Sequence, residues 1–424
     1  MPSLPSMLRR RLCGTASALF AAVLLFPLFQ QVFHVPREKD LSGIRVRTAE
    51  FPVWTPKSWR RGEFAVTADA WIRDHIGLRG WLIHLNRQLR YSLFGQLETA
   101  PLRKRAIVIG KAPVLYENIL MLDALRPPQI PPDQMEAFAA RLARTQRLLK
   151  ERNIAFIVIL APNKALVYSD DLPPWARKRV SDANSDYRPF VEALARHQVP
   201  CLDTLALFRE LRPQFPDLIP PHGVHWSHHG AWIAWQRAVP LINQQGLLPE
   251  LPVPVTEKLV QDQATSMNDE LRAQLNLFFS AHGDPVPSTY PVAAPLPAGT
   301  EPRLDALLVG DSFGLTLLDA MARSGLCRSL QLWFYKLRGR DVTPASFDSR
   351  QRLYLRHIRN VELGPDPDEN GARLLAGKNL VIFVITTFNI DKFSWGFDLL
   401  VNRLYGNPDE DAQLAREVEV NLED

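Results

Sequence analysis

The sequence predicts an α/β protein, a three-layer sandwich with a mostly parallel sheet, preceded by one transmembrane helix. Three observations predict it. Short apolar runs that read as buried strands alternate with stretches of helical spacing, which implies parallel pairing with helices on both faces. Leu304 to Gly325 (LDALLVGDSFGLTLLDAMARSG) joins such a strand to a serine turn and a helix start. An uncharged run from Leu12 to Phe33 stands apart near the N-terminus.

Composition bounds what the chain can be. Its 424 residues, 46% hydrophobic and 22% charged, suit one large or two moderate globular domains and exclude a disordered chain. A net charge of +5 is small for this length, and no Lys/Arg run is interleaved with aromatics, so no nucleic-acid surface is indicated. No repeat or low-complexity tract is present. Cys13, Cys201 and Cys327 have no metal-type spacing, and nothing in the sequence says whether Cys201 and Cys327 pair.

In chain order, Arg9, Arg10 and Arg11 precede the apolar run Leu12 to Phe33, with its core ALFAAVLLFPLF, and at about 1.5 Å per helical residue the whole run is long enough to cross a bilayer. Basic residues on the amino side keep the N-terminus cytoplasmic and send the remainder across. The run is long and QQVFHVP lacks a small-x-small site, so an uncleaved anchor over residues 1–35 is expected rather than a cleaved signal peptide. Residues 36–100 form a helical lead-in, with Trp71 to Phe94 at mostly helical spacing. Residues 101–424 are expected to form the main globular domain. Arg105 to Gly110 reads as its first strand. Asp133 with Glu136 resembles a capping box opening a helix through Met135, Phe138, Leu142 and Leu149. Ala155 to Leu160, Val199 to Asp203, Ser329 to Tyr335 and Asn379 to Thr386 are further strands. The proline-rich region Leu251 to Pro302 reads as a long loop or insertion, with Asp269 to Phe279 helical inside it.

Ser312 is the candidate nucleophile. Leu304 to Val309 reads as a strand buried on both faces, and Gly310 permits the sharp turn after it. The helix that follows carries Leu315, Leu318 and Ala322 on its apolar stripe, with Gly325 where a C-terminal cap belongs. A serine there lies at the sheet's carboxyl edge beside free N–H groups and a positive helix end, which suit an oxyanion. The plain alternative is a Gly-Asp-Ser turn that caps a helix. A serine nucleophile needs a base, and among 10 histidines one cluster stands out, His222, His225, His228 and His229 in PPHGVHWSHHGAW, a loop entering a helix through Ile242. Without a neighbouring carboxylate or cysteine this is no metal signature, and solvated histidines at a helix start are the bland reading.

The chain resembles the membrane-anchored periplasmic alginate O-acetyltransferases, whose catalytic domain is SGNH-hydrolase-like with circularly permuted motifs. The residues that carry the resemblance are Asp74-His75-Ile76-Gly77-Leu78-Arg79, Ile109-Gly110-Lys111, Ala161-Pro162-Asn163-Lys164, His225-Trp226-Ser227 and Gly310-Asp311-Ser312-Phe313. The resemblance implies His225 as base, Ser312 as nucleophile and Asn389, in Thr386-Thr387-Phe388-Asn389, as an oxyanion donor; a structural turn asparagine is the alternative. One departure is plain. The family's aspartate falls at Gly223, and losing the acid of a serine triad costs about 10⁴ in turnover. Asp217, Asp203 or a backbone carbonyl are the substitutes that sequence neighbourhood offers. Gly310 to Gly314 also satisfies G-x-S-x-G, but the histidine which that pattern places after the serine would be His357, in a basic, helical-looking stretch from Arg350 to Glu362.

The expected function is acetyl transfer through a serine ester onto hydroxyls of an exported polysaccharide. The resemblance implies a multi-spanning membrane O-acyltransferase as acetyl supplier, with no cofactor in this chain. A membrane-anchored carbohydrate acetylesterase and a non-catalytic polysaccharide-binding scaffold are the alternatives.

Overall fold

The computed structural model describes residues 6–42, 49–94, 107–111, 114–181, 183–262, 268–279, 286–335, 338–342, 358–361 and 363–407. The chain divides into two compact units, Met1–Glu98 with Arg272–Ala281, and Thr99–Leu271 with His282–Asp424.

The first unit is helical. Its opening helix, Ser6–Phe33, contains Gly14–Phe33, which is long and apolar enough to cross a membrane and is almost wholly exposed. The lead-in expected over Trp71 to Phe94 is two helices, Glu63–His75 and Arg79–Phe94. The break falls at Gly77, where an added Cβ would stand 2.0 Å from the Pro27 carbonyl, and at Leu78, whose φ is +62°. Gln30 secures it by accepting the Leu78 N–H at 3.0 Å. Residues distant in sequence complete this unit: Arg87 donates to the carbonyls of Gln274 at 2.8 Å and Leu275 at 3.0 Å.

In the second unit, Ile107–Ile109 (β1) pairs antiparallel with Leu115–Glu117 (β2). The run expected to open the main sheet is therefore a separate hairpin, and its expected start at Arg105 lies outside the described residues. Ala155–Ala161 (β3) and Cys201–Asp203 (β4) begin the main sheet. Thr256–Asp262 (β5) and Ser288–Ala293 (β6) form an antiparallel pair where a long loop was expected, and the helix expected over Asp269 to Phe279 is only Glu270–Gln274. The sheet resumes with Leu304–Gly310 (β7), Cys327–Phe334 (β8), Arg338–Val342 (β9), Ile358–Val361 (β10) and Leu380–Thr386 (β11). Strand β10 stands where the sequence suggested helix, because that stretch pairs with β9. His357 lies outside the described residues.

Across the sheet the order is β10-β9-β8-β7-β11-β3-β4. The members from β8 to β4 are parallel, and β9 and β10 are added antiparallel at one edge. Strands β3, β7 and β11 are buried along their whole lengths, which is why they read as unbroken apolar runs rather than alternating ones. Helices Pro132–Lys150, Tyr187–Arg196 and Phe397–Tyr405 cover one face, and Thr204–Leu211, His228–Asn243 and Phe313–Arg323 the other. At about 1.5–3 kcal/mol for each fully buried Leu, Ile, Val or Phe, a centre this apolar cannot be left uncovered on either side. This is the SGNH-like α/β sandwich expected. Met135, Phe138, Leu142 and Leu149 face the core. The capping box does not form: the helix starts after Pro131, and Glu136 instead binds Arg196 and His197.

Chain direction reverses within the sheet. The step from β3 to β4 runs one way across it and the step from β7 to β8 the other, so a crevice is expected at the carboxyl ends between them. Beyond β11 the backbone is strained: Phe393, Ser394 and Trp395 are left-handed at φ +42°, +57° and +52°, followed by Gly396 at +73°. Each non-glycine residue so placed costs roughly 1–2 kcal/mol. Buried Asp398 holds the turn, accepting the Ser394 hydroxyl and the Arg141 Nε–H, the latter at 2.7 Å.

Candidate active site

Strand β7 delivers the serine. A Cβ on Gly310 would lie 2.2 Å from the Val384 carbonyl of β11, so the glycine is required for close strand approach; its φ is not left-handed, contrary to a turn-based role. Asp311 then ties the turn to the neighbouring strand end. Its Oδ1 accepts the Phe313 N–H at 3.1 Å, and its Oδ2 accepts the Thr386 N–H at 2.9 Å, the Thr386 hydroxyl at 2.6 Å and Asn389 Nδ2 at 3.0 Å. Ser312 opens helix Phe313–Arg323, yet its side chain caps nothing. The aspartate before it does the capping, which removes the plain reading of Ser312 and leaves its hydroxyl free for another partner.

That partner is His225, whose Nε2 lies 2.6 Å from Ser312 Oγ. Its Nδ1 lies 3.1 Å from Oε1 of Glu270, the first residue of Glu270–Gln274. The same Oε1 accepts the Val224 N–H at 2.8 Å, so the carboxylate grips both backbone and ring. A carboxylate so placed fixes the tautomer with its proton on Nδ1, leaving Nε2 to accept from the serine. Burial pulls the His225 pKa down, but the Glu270 charge and hydrogen bond outweigh it, helped by Asp311 and Glu117, and the net shift is upward.

The histidine loop is held on both sides. Trp226 is buried and its Nε1–H donates to Thr316 Oγ1 at 2.5 Å and to the Phe313 carbonyl at 3.1 Å, which clamps the loop to the serine helix. Ser227 caps His228–Asn243 by accepting the Gly230 N–H at 2.9 Å. From beneath, wholly buried Lys164 donates from Nζ to the carbonyls of Pro220, Pro221 and Gly223, each at 2.8 Å. Burial pushes the Lys164 pKa down to about 7, opposed by the charges of Glu270 and Asp171. Asn163 sets the lysine in place, accepting the Ala165 N–H at 2.9 Å while its Nδ2 donates to the Leu120 carbonyl at 3.0 Å and to Asp123 at 2.9 Å.

Several sequence expectations change here. Neither Asp217 nor Asp203 replaces the acid missing at Gly223: Asp217 lies 3.2 Å from His229 Nδ1, and Asp203 accepts the Tyr187 hydroxyl at 2.6 Å and caps Thr204–Leu211. Asn389 is not directed at Ser312, since its Nδ2 is engaged by Asp311 and by Thr386 Oγ1 at 3.0 Å. It props the turn instead. The group that can meet an oxyanion is the Ser312 N–H, which has no acceptor among the described residues. The histidine cluster does not converge: His222, His225, His228 and His229 each face a different carboxylate, of Asp269, Glu270, Asp319 and Asp217. Three of those acids come from outside the loop's sequence neighbourhood, which is why the loop read as carboxylate-free. Glu270 itself lies in an unremarkable Asn268-Asp269-Glu270 run with no local mark of its role.

Residues 123–317 match the family described as SGNH hydrolase-like domain, acetyltransferase AlgX. That segment holds Lys164, His225, Glu270 and Ser312. No curated protein matches in sequence. Similar solved structures include the O-acetyltransferase domain of Pseudomonas putida AlgJ, with 16% identity and a TM-score of 0.44 over 73% of this chain and 99% of that one. Pseudomonas aeruginosa AlgX is similar at 15% identity and a TM-score of 0.43, over 70% of this chain and 67% of that one. Bacillus cereus PatB1 follows at 15% and 0.40, over 67% and 97%.

Proposed function

We propose that this chain, which carries an SGNH hydrolase-like acetyltransferase domain of the AlgX type over residues 123–317, is a serine-dependent O-acetyltransferase acting on a polysaccharide. The observation that carries the reading is the line of contacts from Glu270 through His225 to Ser312, at 3.1 and 2.6 Å. In the first half-reaction Ser312 Oγ attacks the acetyl carbonyl of a donor ester while His225 Nε2 takes its proton. The resulting imidazolium is stabilised by Glu270, and it protonates the departing alcohol. The oxyanion formed in between meets the Ser312 N–H. In the second half-reaction His225 takes the proton of a sugar hydroxyl, which attacks the serine ester; collapse returns Ser312 and releases the acetylated sugar. No step needs a cofactor.

The apolar helix supports placing the protein at a membrane, as an uncleaved anchor that leaves the catalytic unit in the periplasm. A multi-spanning O-acyltransferase then supplies the acetyl group. Gly223 encouraged the non-catalytic reading, and the Glu270 carboxylate at His225 favours the enzyme over it. The test uses full-length protein in detergent with an activated acetyl ester. Intact mass is expected to show one added acetyl group, absent from Ser312→Ala, and the label should pass to an oligosaccharide faster than to water. Equal labelling of both proteins removes Ser312 from the mechanism, and release to water alone assigns an esterase.

A further inference from the structure

Two aromatic residues on the segments that follow the strands beside β7 take no part in the hydrogen bonds among Glu270, His225 and Ser312. Tyr335 directly follows β8, and Trp395 lies in the turn that follows β11. These strands flank β7 on its two sides. The Tyr335 N–H donates to the Gly310 carbonyl at 2.8 Å, two residues before Ser312. The two rings meet edge to face with centroids 5.4 Å apart, and Trp395 is backed by Phe383 at 6.3 Å. Both residues remain partly exposed.

Their backbone makes the placement informative. Tyr335 is left-handed at φ +49°, and Trp395 is the last of three consecutive left-handed non-glycine residues begun at Phe393. Strain of this kind in bulky residues persists only where its surroundings enforce it, and it concentrates at ligand sites. Here the enforcement is built in, since Ser394 and Arg141 both bind buried Asp398. A strained turn held by a buried ion pair thus presents an indole against the ring of Tyr335, whose backbone binds Gly310 two residues before Ser312.

We propose that Tyr335 and Trp395 form an aromatic wall of the acceptor site, on which a pyranose ring of the polysaccharide lies while its hydroxyl meets the acyl-serine; this rests on the transferase reading above. A pyranose has an apolar C–H face and a rim of hydroxyls, and an aromatic face matches the former while leaving the latter free to react. The same wall makes water a poorer competitor, because an apolar surface offers it no hydrogen bond.

The test measures binding by full-length protein in detergent, without acetyl donor, of a 1,4-linked glucan hexasaccharide and a 1,4-linked uronate hexasaccharide. Calorimetry is run on wild type, Tyr335→Ala, Trp395→Ala and Trp395→Phe. Wild type is expected to bind at least one probe, and each alanine variant to bind it about tenfold more weakly, a loss of about 1.4 kcal/mol. Trp395→Phe, which keeps an aromatic face, should recover most of the affinity, and it also decides the matter where Trp395→Ala does not fold. In acetyl transfer the alanine variants should raise the acceptor KM more than they lower kcat. Wild type binding neither probe, undiminished binding by both alanine variants, or a Phe variant as weak as the Ala variant would each overturn the wall. Because binding is read without chemistry, it stands apart from the question of Ser312 acylation: a protein that binds but is never acylated keeps the wall and loses the transferase, and the reverse result does the opposite.

Discussion

Glu270 decides whether Gly223 is a defect. A glycine two residues before His225 leaves no side chain to orient the imidazole, yet Glu270 Oε1 reaches Nδ1 at 3.1 Å and the Val224 N–H at 2.8 Å. Replacing it by Gln puts an amide where a charge is needed, and turnover is expected to fall by about 10²–10⁴, as in a triad that loses its acid. Gly223→Asp in the wild type should add nothing, because the position is already supplied and a second carboxylate would repel the first. Steady-state acetyl transfer by the two variants checks both; a large gain in Gly223→Asp would mean that Glu270 is idle. The pH profile carries the same information. In the proposed mechanism His225 must be neutral to act as base, and its pKa is raised by Glu270, so activity should climb with pH through a value above the ordinary histidine one of about 6.5. In Glu270→Gln that limb should move to lower pH, since burial is then less opposed.

At the scale of elements, the site is a strand end, a helix start and a loop locked together, and Lys164 is the lock. Its ammonium has three protons for the three carbonyls of Pro220, Pro221 and Gly223. With a pKa lowered to about 7 by burial, the group loses one of those protons as pH rises through neutrality, and one carbonyl then loses its donor. Glu270, Asp171 and the Tyr116 ring face it and favour the charged form. Activity is therefore expected to decline above about pH 7, giving with His225 a narrow maximum near neutrality. Lys164→Met should remove the alkaline limb and lower kcat throughout. It should also destabilise the protein by about 1–3 kcal/mol for each carbonyl left buried without a donor, offset in part by relief of the buried charge. Profiles of kcat against pH for wild type and Lys164→Met, with thermal melts, test this. An unchanged alkaline limb in the variant would free Lys164 of the role.

For the molecule as a whole, topology makes two predictions. Cys201 lies on β4 and Cys327 on β8, at opposite ends of the parallel part of the sheet. Four interstrand spacings of about 4.8 Å separate them by roughly 19 Å, far beyond the Cα separation of about 4.4–6.8 Å that a disulfide tolerates. Cys327 is buried and Cys201 partly buried, and desolvation pushes both thiol pKa values up. They should stay reduced even in an oxidising compartment, and intact mass with and without reductant should agree. The exposed apolar span Gly14–Phe33 leads to the second prediction. The full chain should remain in the membrane pellet after an alkaline wash with its original N-terminus intact; a mature N-terminus near residue 35 would show a cleaved signal sequence instead.

The sequence by itself determined what depends on neighbours along the chain. Unbroken apolar runs marked β3, β7 and β11 because strands buried on both faces need no alternation. Gly-Asp-Ser between strand and helix placed Ser312, and the His-rich loop before a helix placed His225. Only the tertiary structure decided what depends on residues meeting across long sequence gaps. Glu270 lies 45 residues from His225 and reaches it only because its helix folds back onto the loop. Asn389 turned from the serine to Asp311 because the β7 and β11 ends abut, and Gly310 is small for the same reason. Ile107–Ile109 had the composition of a sheet strand and became half of a hairpin, since strand propensity says nothing about which edge a strand will find. Local periodicity records burial, whereas a catalytic partner is chosen by geometry that no short window of sequence contains.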